Sequence, residues 1–131
     1  MNTQLKSLTP NLMVKDVNRT IAYYQDVLGF TLNLTVPDDG QFTWASMRCG
    51  AVELMFQATA SLAEEIPVLR GQAIGGSLSF YIQMTGVEEL YARLRDSAVL
   101  VQDLHTTFYG AREFAIQDCN GYVLAFAEMA E

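Results

Sequence analysis

Each half of this chain closes in the same way, and that repetition limits the fold more than any other feature. Phe42–Phe56 and Phe114–Phe126 each run strand, cysteine-containing turn, strand and phenylalanine. The elements before the two hairpins also recur in order, so the repeat period is about half the chain. Identity between the halves is low. The repeat therefore rests on element order and on the closing hairpins.

In the first half, residues 8–15 read as a short strand, and Asp16 offers a side-chain oxygen to cap a helix. Val17, Ile21, Tyr24, Val27 and Leu28 fall on one helical face, and Gly29 stops the helix. Phe30–Val36 alternates, with Phe30, Leu32, Leu34 and Val36 on one side. Pro37-Asp38-Asp39-Gly40 is a turn signal. Phe42–Arg48 and Ala51–Gln57 are then the two hairpin strands about Cys49-Gly50.

Residues 58–76 read as a connection. Ser61 and Glu64 have the spacing of a capping box, which predicts a short helix over Leu62–Ile66 that Pro67 ends. In the second half, Ser77–Met84 is the first strand. Thr85 and Glu88 predict another capping box, opening a helix with Val87, Leu90, Tyr91 and Leu94 on one face. Val99–Gln102 is a strand and Asp103–Gly110 a loop. Arg112–Gln117 and Tyr122–Glu128 close the chain around Asp118-Cys119-Asn120-Gly121.

The implied fold class is α+β. Two βαβββ modules (about 5–57 and 77–131, joined by 58–76) form one domain over residues 1–131. Each module bends a small mixed sheet and covers its convex side with the helix. The concave sides make a cup, a natural site for a small molecule.

Half of the 131 residues are apolar, enough for a real core. The longest unbroken apolar stretch, Tyr122–Ala127, is too short to span a bilayer. The N-terminus lacks an apolar secretory segment, and Cys49 and Cys119 form no CxxC pair, so reduced thiols and a cytoplasmic location are expected. A net charge of −7 argues against a nucleic-acid partner. It is compatible with a cationic small ligand, and the plainer reading is the acidity that many soluble proteins carry for solubility. No Ser-His-Asp or Cys-His arrangement can be built on a single histidine, and Gly71, Gly75 and Gly76 lack the Lys-Ser/Thr of a phosphate-binding loop.

The segment from Val14-Lys15-Asp16 through Tyr23-Tyr24 to Leu28-Gly29-Phe30 resembles the opening of the glyoxalase/bleomycin-resistance/dioxygenase family, of the vicinal oxygen chelate superfamily. Tyr109-Gly110-Ala111-Arg112-Glu113-Phe114 through Asp118-Cys119-Asn120-Gly121-Tyr122 resembles that family's final hairpin, with Cys119 in place of the usual proline. The resemblance implies the two-module fold and a homodimer, often with modules exchanged between chains. It specifies architecture far more than chemistry.

Metal-dependent relatives take one ligand from each of four strands. Carried over by resemblance, those positions fall on Thr9, Glu53, Ser77 and Ala125. Only Glu53 is a strong donor, and one carboxylate does not hold a divalent ion against water. No metal and no cofactor is therefore expected. The lyase and extradiol dioxygenase chemistries of the superfamily lose their Lewis acid.

The candidate ligand-binding residues are Glu53, Trp44, Arg48, Met55, His105 and Arg112. Alternation puts Glu53 beside Met55 on the cup side, as a carboxylate for a cationic or hydrogen-bonding group or simply as a solvated residue. Phe42, Trp44, Ser46 and Arg48 share a face. Trp44 is a stacking surface for a flat or cationic ligand, or a core or dimer-interface aromatic. Arg48 is also placed to pair with Glu53. His105 falls in the expected loop, either merely exposed or closing over the cup. Arg112-Glu113 resembles a pair seen in bleomycin-resistance-like relatives. At most one of the two enters the cup, and an ordinary surface pair is the plainer reading. Met47, Met55 and Met84 fill core and cup walls.

Three functions are compatible with these residues: a metal-free binding protein that sequesters a small cationic or aromatic compound, as bleomycin-type resistance proteins do; an enzyme of the superfamily using Glu53 or a bound metal; and a dimer with a vestigial cup. The residues favour them in that order.

Overall fold

The computed structural model describes residues 2–131. Two compact units divide the chain, residues 1–71 and 72–131. Among the described residues each carries one four-stranded mixed sheet, and neither sheet is closed into a barrel.

In the first unit the elements run β1 (Asn11–Val14), α1 (Val17–Asp26), β2 (Thr31–Val36), β3 (Trp44–Cys49), β4 (Val52–Ala58) and α2 (Thr59–Glu65). A single 3-10 turn, Pro67–Leu69, follows. The sheet order is β1-β4-β3-β2, with β1 parallel to β4 and the rest antiparallel. The second unit repeats this with β5 (Ser79–Gln83), α3 (Val87–Leu94), β6 (Val99–Thr106), β7 (Ala111–Gln117) and β8 (Val123–Met129). Its order is β5-β8-β7-β6, with the same parallel first pair. The two modules read from the sequence are thus present, element for element.

Helices α1 and α3 each cover one face of their sheet. Asp16 caps α1 by accepting from the Arg19 backbone N–H at 3.1 Å. Val17, Ile21, Tyr24 and Leu28 are buried as their spacing requires, and Thr20 joins them. Gly29 ends the turn at φ +74°, a conformation glycine adopts without strain. Tyr24 is fully buried, 4.8 Å from the Phe56 ring and 5.3 Å from Phe30. The second unit builds the same aromatic core from Tyr91, Phe114 and Phe126, with centroids 5.3 Å apart in both pairs. Such pairs add about 1 kcal/mol each beyond the area they bury.

Four sequence expectations are corrected. The helix expected at Leu62–Ile66 begins earlier, at Thr59, and Ala58 at its start donates no side-chain cap. Ser61 lies inside the helix and instead accepts from Gln57 Nε2 at 3.0 Å. The Thr85–Glu88 capping box does not form either. Glu128, from β8, accepts from the backbone N–H groups of Gly86 and Val87, both at 3.1 Å, so a distant carboxylate caps α3. The alternation of Phe30–Val36 breaks at a bulge between Leu32 and Leu34, and Leu34 and Val36 emerge half exposed or more. Finally, residues 103–106 belong to β6 rather than to a loop. Two register shifts hide that strand from a period-two reading.

Candidate functional site

The strand registers assign every side chain to the helix-bearing face or the open face of its sheet. In the first unit Ala45 pairs with Phe56 and Met47 with Leu54, all four buried on the helix side. The alternate pairs, Trp44–Gln57, Ser46–Met55 and Arg48–Glu53, therefore lie on the open face. Asn11 of β1 pairs with Met55 and extends that face. Four of the six candidate residues, Trp44, Arg48, Glu53 and Met55, are brought together here.

The face is polar around a single tryptophan. Gln57, opposite Trp44, is buried and anchored: its Oε1 accepts from Asn11 Nδ2 at 2.8 Å, and its Nε2 reaches Ser61 and Glu65, each at 3.0 Å. Ser46 Oγ accepts from Asn33 at the bulge at 3.1 Å. Glu53 and Arg48 form an ion pair of 3.5 Å, with side chains 33% and 57% exposed. Trp44 is left half-buried, with no ring partner among the described residues. The arrangement can stack a flat group on the indole and offer it carboxylate, guanidinium and amide contacts.

In the second unit Phe114 and Ile116 face the helix and Glu113 and Ala115 face away. Glu113 is only 6% exposed. Its Oε2 accepts the hydroxyl of Tyr109 at 2.6 Å and that of Tyr81 in a short bond. The Glu113 bond, with burial helping, pushes the Tyr81 phenol well above its ordinary pKa of 10.0. His105 is the cross-strand partner of Glu113, so it stands on β6 beside this group rather than in a loop. Its Nδ1 lies 2.8 Å from the Asp103 carbonyl oxygen.

Arg112, one residue from Glu113, points to the helix side. Its Nε donates to Glu88 of α3 at 3.1 Å and its Nη1 to Thr106 at 3.3 Å. A cleft of about 690 Å³ opens around Arg112, Glu88 and Glu128 at the start of α3. Arg112 and Glu88 engage each other and Glu128 the helix N-terminus, and Glu89 and Glu131 also line the cleft.

The cluster of Tyr81, Tyr109 and Glu113 escaped the sequence reading. Tyr81 and Tyr109 lie 28 residues apart, on β5 and on the β6–β7 turn, and only the sheet order brings them to one carboxylate. One signal was available. Glu113 shares its side of β7 with Ala111 and Ala115, both buried, and an acid in a row of buried alanines needs partners.

Of the four positions that the resemblance assigns as metal ligands, Thr9 and Ser77 lie outside β1 and β5. Ala125 lies on the open face beside Tyr81 and offers only a methyl group. Glu53 is engaged by Arg48. Among the described residues no three His, Cys, Asp or Glu side chains converge. This donor set does not fit a divalent ion.

Open-faced sheets of this topology, each backed by a helix, define a class of α+β proteins built from paired βαβββ modules. Residues 5–126 match the sequence profile of the Glyoxalase/Bleomycin resistance protein/Dioxygenase superfamily, and the chain belongs to it. The chain is 29% identical over 126 residues to the bleomycin resistance proteins of Geobacillus stearothermophilus and of Staphylococcus aureus strain N315, an alignment spanning 89% of this chain and 92% of theirs. Its fold is similar to that of TioX from Micromonospora sp. ML1, with a TM-score of 0.77 and 23% identity over 95% of this chain and 99% of that one. It is likewise similar to a glyoxalase/bleomycin resistance protein/dioxygenase from Nocardioides, with a TM-score of 0.78 and 18% identity over 99% and 87% of the two chains. No helix among the described residues is long and apolar enough to cross a membrane.

Proposed function

We propose that this chain is a metal-independent binding protein that sequesters a small cationic or aromatic compound, with glycopeptide antibiotics of the bleomycin type as the first class to test. The observation that carries the reading is Trp44. It is the chain's one tryptophan, half-buried on the open sheet face, next to Gln57, Ser46 and the Glu53–Arg48 pair. An indole on a concave or open face beside hydrogen-bonding groups suits a flat heteroaromatic group with polar substituents. Similarity to bleomycin resistance proteins over nine-tenths of the chain supports the same reading. The same proposal makes the protein a cytoplasmic homodimer with no nucleic-acid or membrane partner, in keeping with its charge of −7.

Because Trp44 is the sole indole, its fluorescence reports the proposed site directly. Metal-free bleomycin is expected to quench or shift that emission saturably and to raise the melting temperature with concentration. Neither effect at ligand up to about 1 mM, a binding free energy weaker than about 4 kcal/mol, would remove the glycopeptide reading. Stoichiometric zinc, manganese, nickel or iron in the purified protein would return it to the metal-dependent branch.

A further inference from the structure

Glu113 is the least expected charge in the molecule. It is a carboxyl group 6% exposed, in a row with Ala111 and Ala115, and the strand opposite it adds Ala125 and Ala127 to the same floor. Burial of an acid demands partners. Two are present, and both use the same oxygen: the Tyr81 and Tyr109 hydroxyls end on Oε2. Among the described residues no group donates to Oε1, and no lysine, arginine or histidine pairs with this carboxyl. His105, its cross-strand neighbour, holds its Nδ1 on the Asp103 carbonyl. The two phenols stay half open to solvent, Tyr81 at 47% and Tyr109 at 51%, and the fully exposed Phe108 stands edge-on to Tyr109 at 5.0 Å.

A carboxyl group with an idle oxygen, an alanine floor and aromatic rings pinned beside it is the environment that favours an organic cation. The charge attracts it, the ring faces add cation–π attraction, and the small floor leaves room. We infer that Glu113, Tyr81 and Tyr109 form a subsite for an ammonium group, alkylated or primary, carried by the small molecule this protein binds. Tyr81 and Tyr109 fix the carboxyl so that Oε1 is the oxygen presented. The Tyr81 phenol, which the Glu113 bond raises above its ordinary pKa of 10.0, is a neutral donor near neutral pH. This deepens the binding reading above and relies on it only for the identity of the natural ligand.

The test uses choline and its neutral carbon isostere, dimethylbutanol, as probes in heteronuclear NMR titrations of the full-length chain. Choline is expected to shift amides of β7 and of the Thr107–Gly110 turn saturably, with dimethylbutanol at least about tenfold weaker. Glu113→Gln keeps an acceptor for both phenols while removing the charge. It is expected to bring choline down to the level of the isostere in a protein whose other resonances are unmoved. Tyr81→Phe and Tyr109→Phe should each weaken choline alone. Equal binding of choline and dimethylbutanol, unchanged choline binding in Glu113→Gln, or no shift up to about 100 mM choline (a binding free energy weaker than about 1.4 kcal/mol) would overturn the subsite. Glycopeptide binding that persists while choline stays silent overturns the subsite and spares the sequestration reading. Choline binding without glycopeptide binding does the reverse.

Discussion

Arg48 and Glu53 stand opposite each other on β3 and β4, guanidinium Nη2 3.5 Å from carboxylate Oε2. Both side chains are substantially in water, so the pair is screened and adds little to stability. Its consequence is for recognition, because the arginine neutralises the carboxylate that a cationic ligand would seek. Arg48→Ala, Glu53→Ala and the double variant should therefore show a coupling below about 1 kcal/mol in urea unfolding. If the open face takes a cation, Arg48→Ala should bind it severalfold more tightly and Glu53→Ala more weakly. A coupling of about 3 kcal/mol would mean that the pair is structural after all.

Asp16 makes a second prediction, with a pH sign. The Arg19 backbone N–H bond is the main cause that lowers its carboxyl below the ordinary 3.8, with Gln41 assisting and burial opposing. A lowered folded-state pKa contributes stability that is fully present above the unfolded value and is lost as pH falls through the folded value. Asp16→Ala should cost about 1 kcal/mol at neutral pH, and Asp16→Asn, which can still cap, less. The melting temperatures of wild type and Asp16→Asn should converge on acidification. A gap that widened toward low pH would contradict the charge as its source.

Asp16 also shows what was legible from sequence. A cap, a helical apolar stripe and a terminating glycine are local features, and α1 follows them from Asp16 to Gly29. The same holds for the alternation that placed Trp44, Arg48, Glu53 and Met55 on one face. What stayed hidden depends on distant chain or on broken periodicity. Glu128 caps α3 from 42 residues away, which no local motif encodes. His105 read as loop because two register shifts interrupt β6. Tyr91 reaches across from α3 to Asp103, whose carboxyl this bond lowers, and ties down the part of β6 that the sequence left irregular. The Tyr81–Glu113–Tyr109 cluster needs the sheet order before it can be seen.

The two glycines flanking the start of the second unit separate strain from steric exclusion. Gly71 and Gly75 have similar positive φ, +79° and +84°. A Cβ on Gly71 would meet open space, whereas one on Gly75 would sit 2.9 Å from the Asn120 carbonyl oxygen and the Gly121 carbonyl carbon, backbone atoms with little freedom to move. Gly71→Ala should then cost about 1 kcal/mol for its conformation alone. Gly75→Ala should cost about 3 kcal/mol or more, because the β7–β8 turn must shift as well. Equal losses in urea unfolding would show that the turn yields easily.

Glu128 is expected to be worth more than an exposed charge usually is, since two backbone donors at the start of α3 depend on its Oε1. Glu128→Ala leaves both without that acceptor and should lose about 1–2 kcal/mol, while Glu128→Gln keeps an acceptor oxygen and should lose less than half of that. Hydrogen exchange at Gly86 and Val87 reads the effect locally. Acceleration confined to these amides and the first turn of α3 is the expected pattern, and protection unchanged in Glu128→Ala would assign the cap elsewhere.

Arg112 and Glu113 give the sharpest contrast, because neighbours on one strand serve opposite faces. Arg112 spends its donors on Glu88 and Thr106 at the helix side, with its side chain 38% exposed and that of Glu88 69% exposed. Arg112→Met should therefore change stability by less than about 1 kcal/mol and leave choline and glycopeptide titrations unaltered. Glu113→Gln, with its fold intact, should alter the binding of cations and little else. If instead Arg112→Met abolished binding and Glu113→Gln did not, the ligand would sit on the helix-bearing side of β7, in the cleft beside Glu88, and the open face of the second sheet would have to be given up as its site.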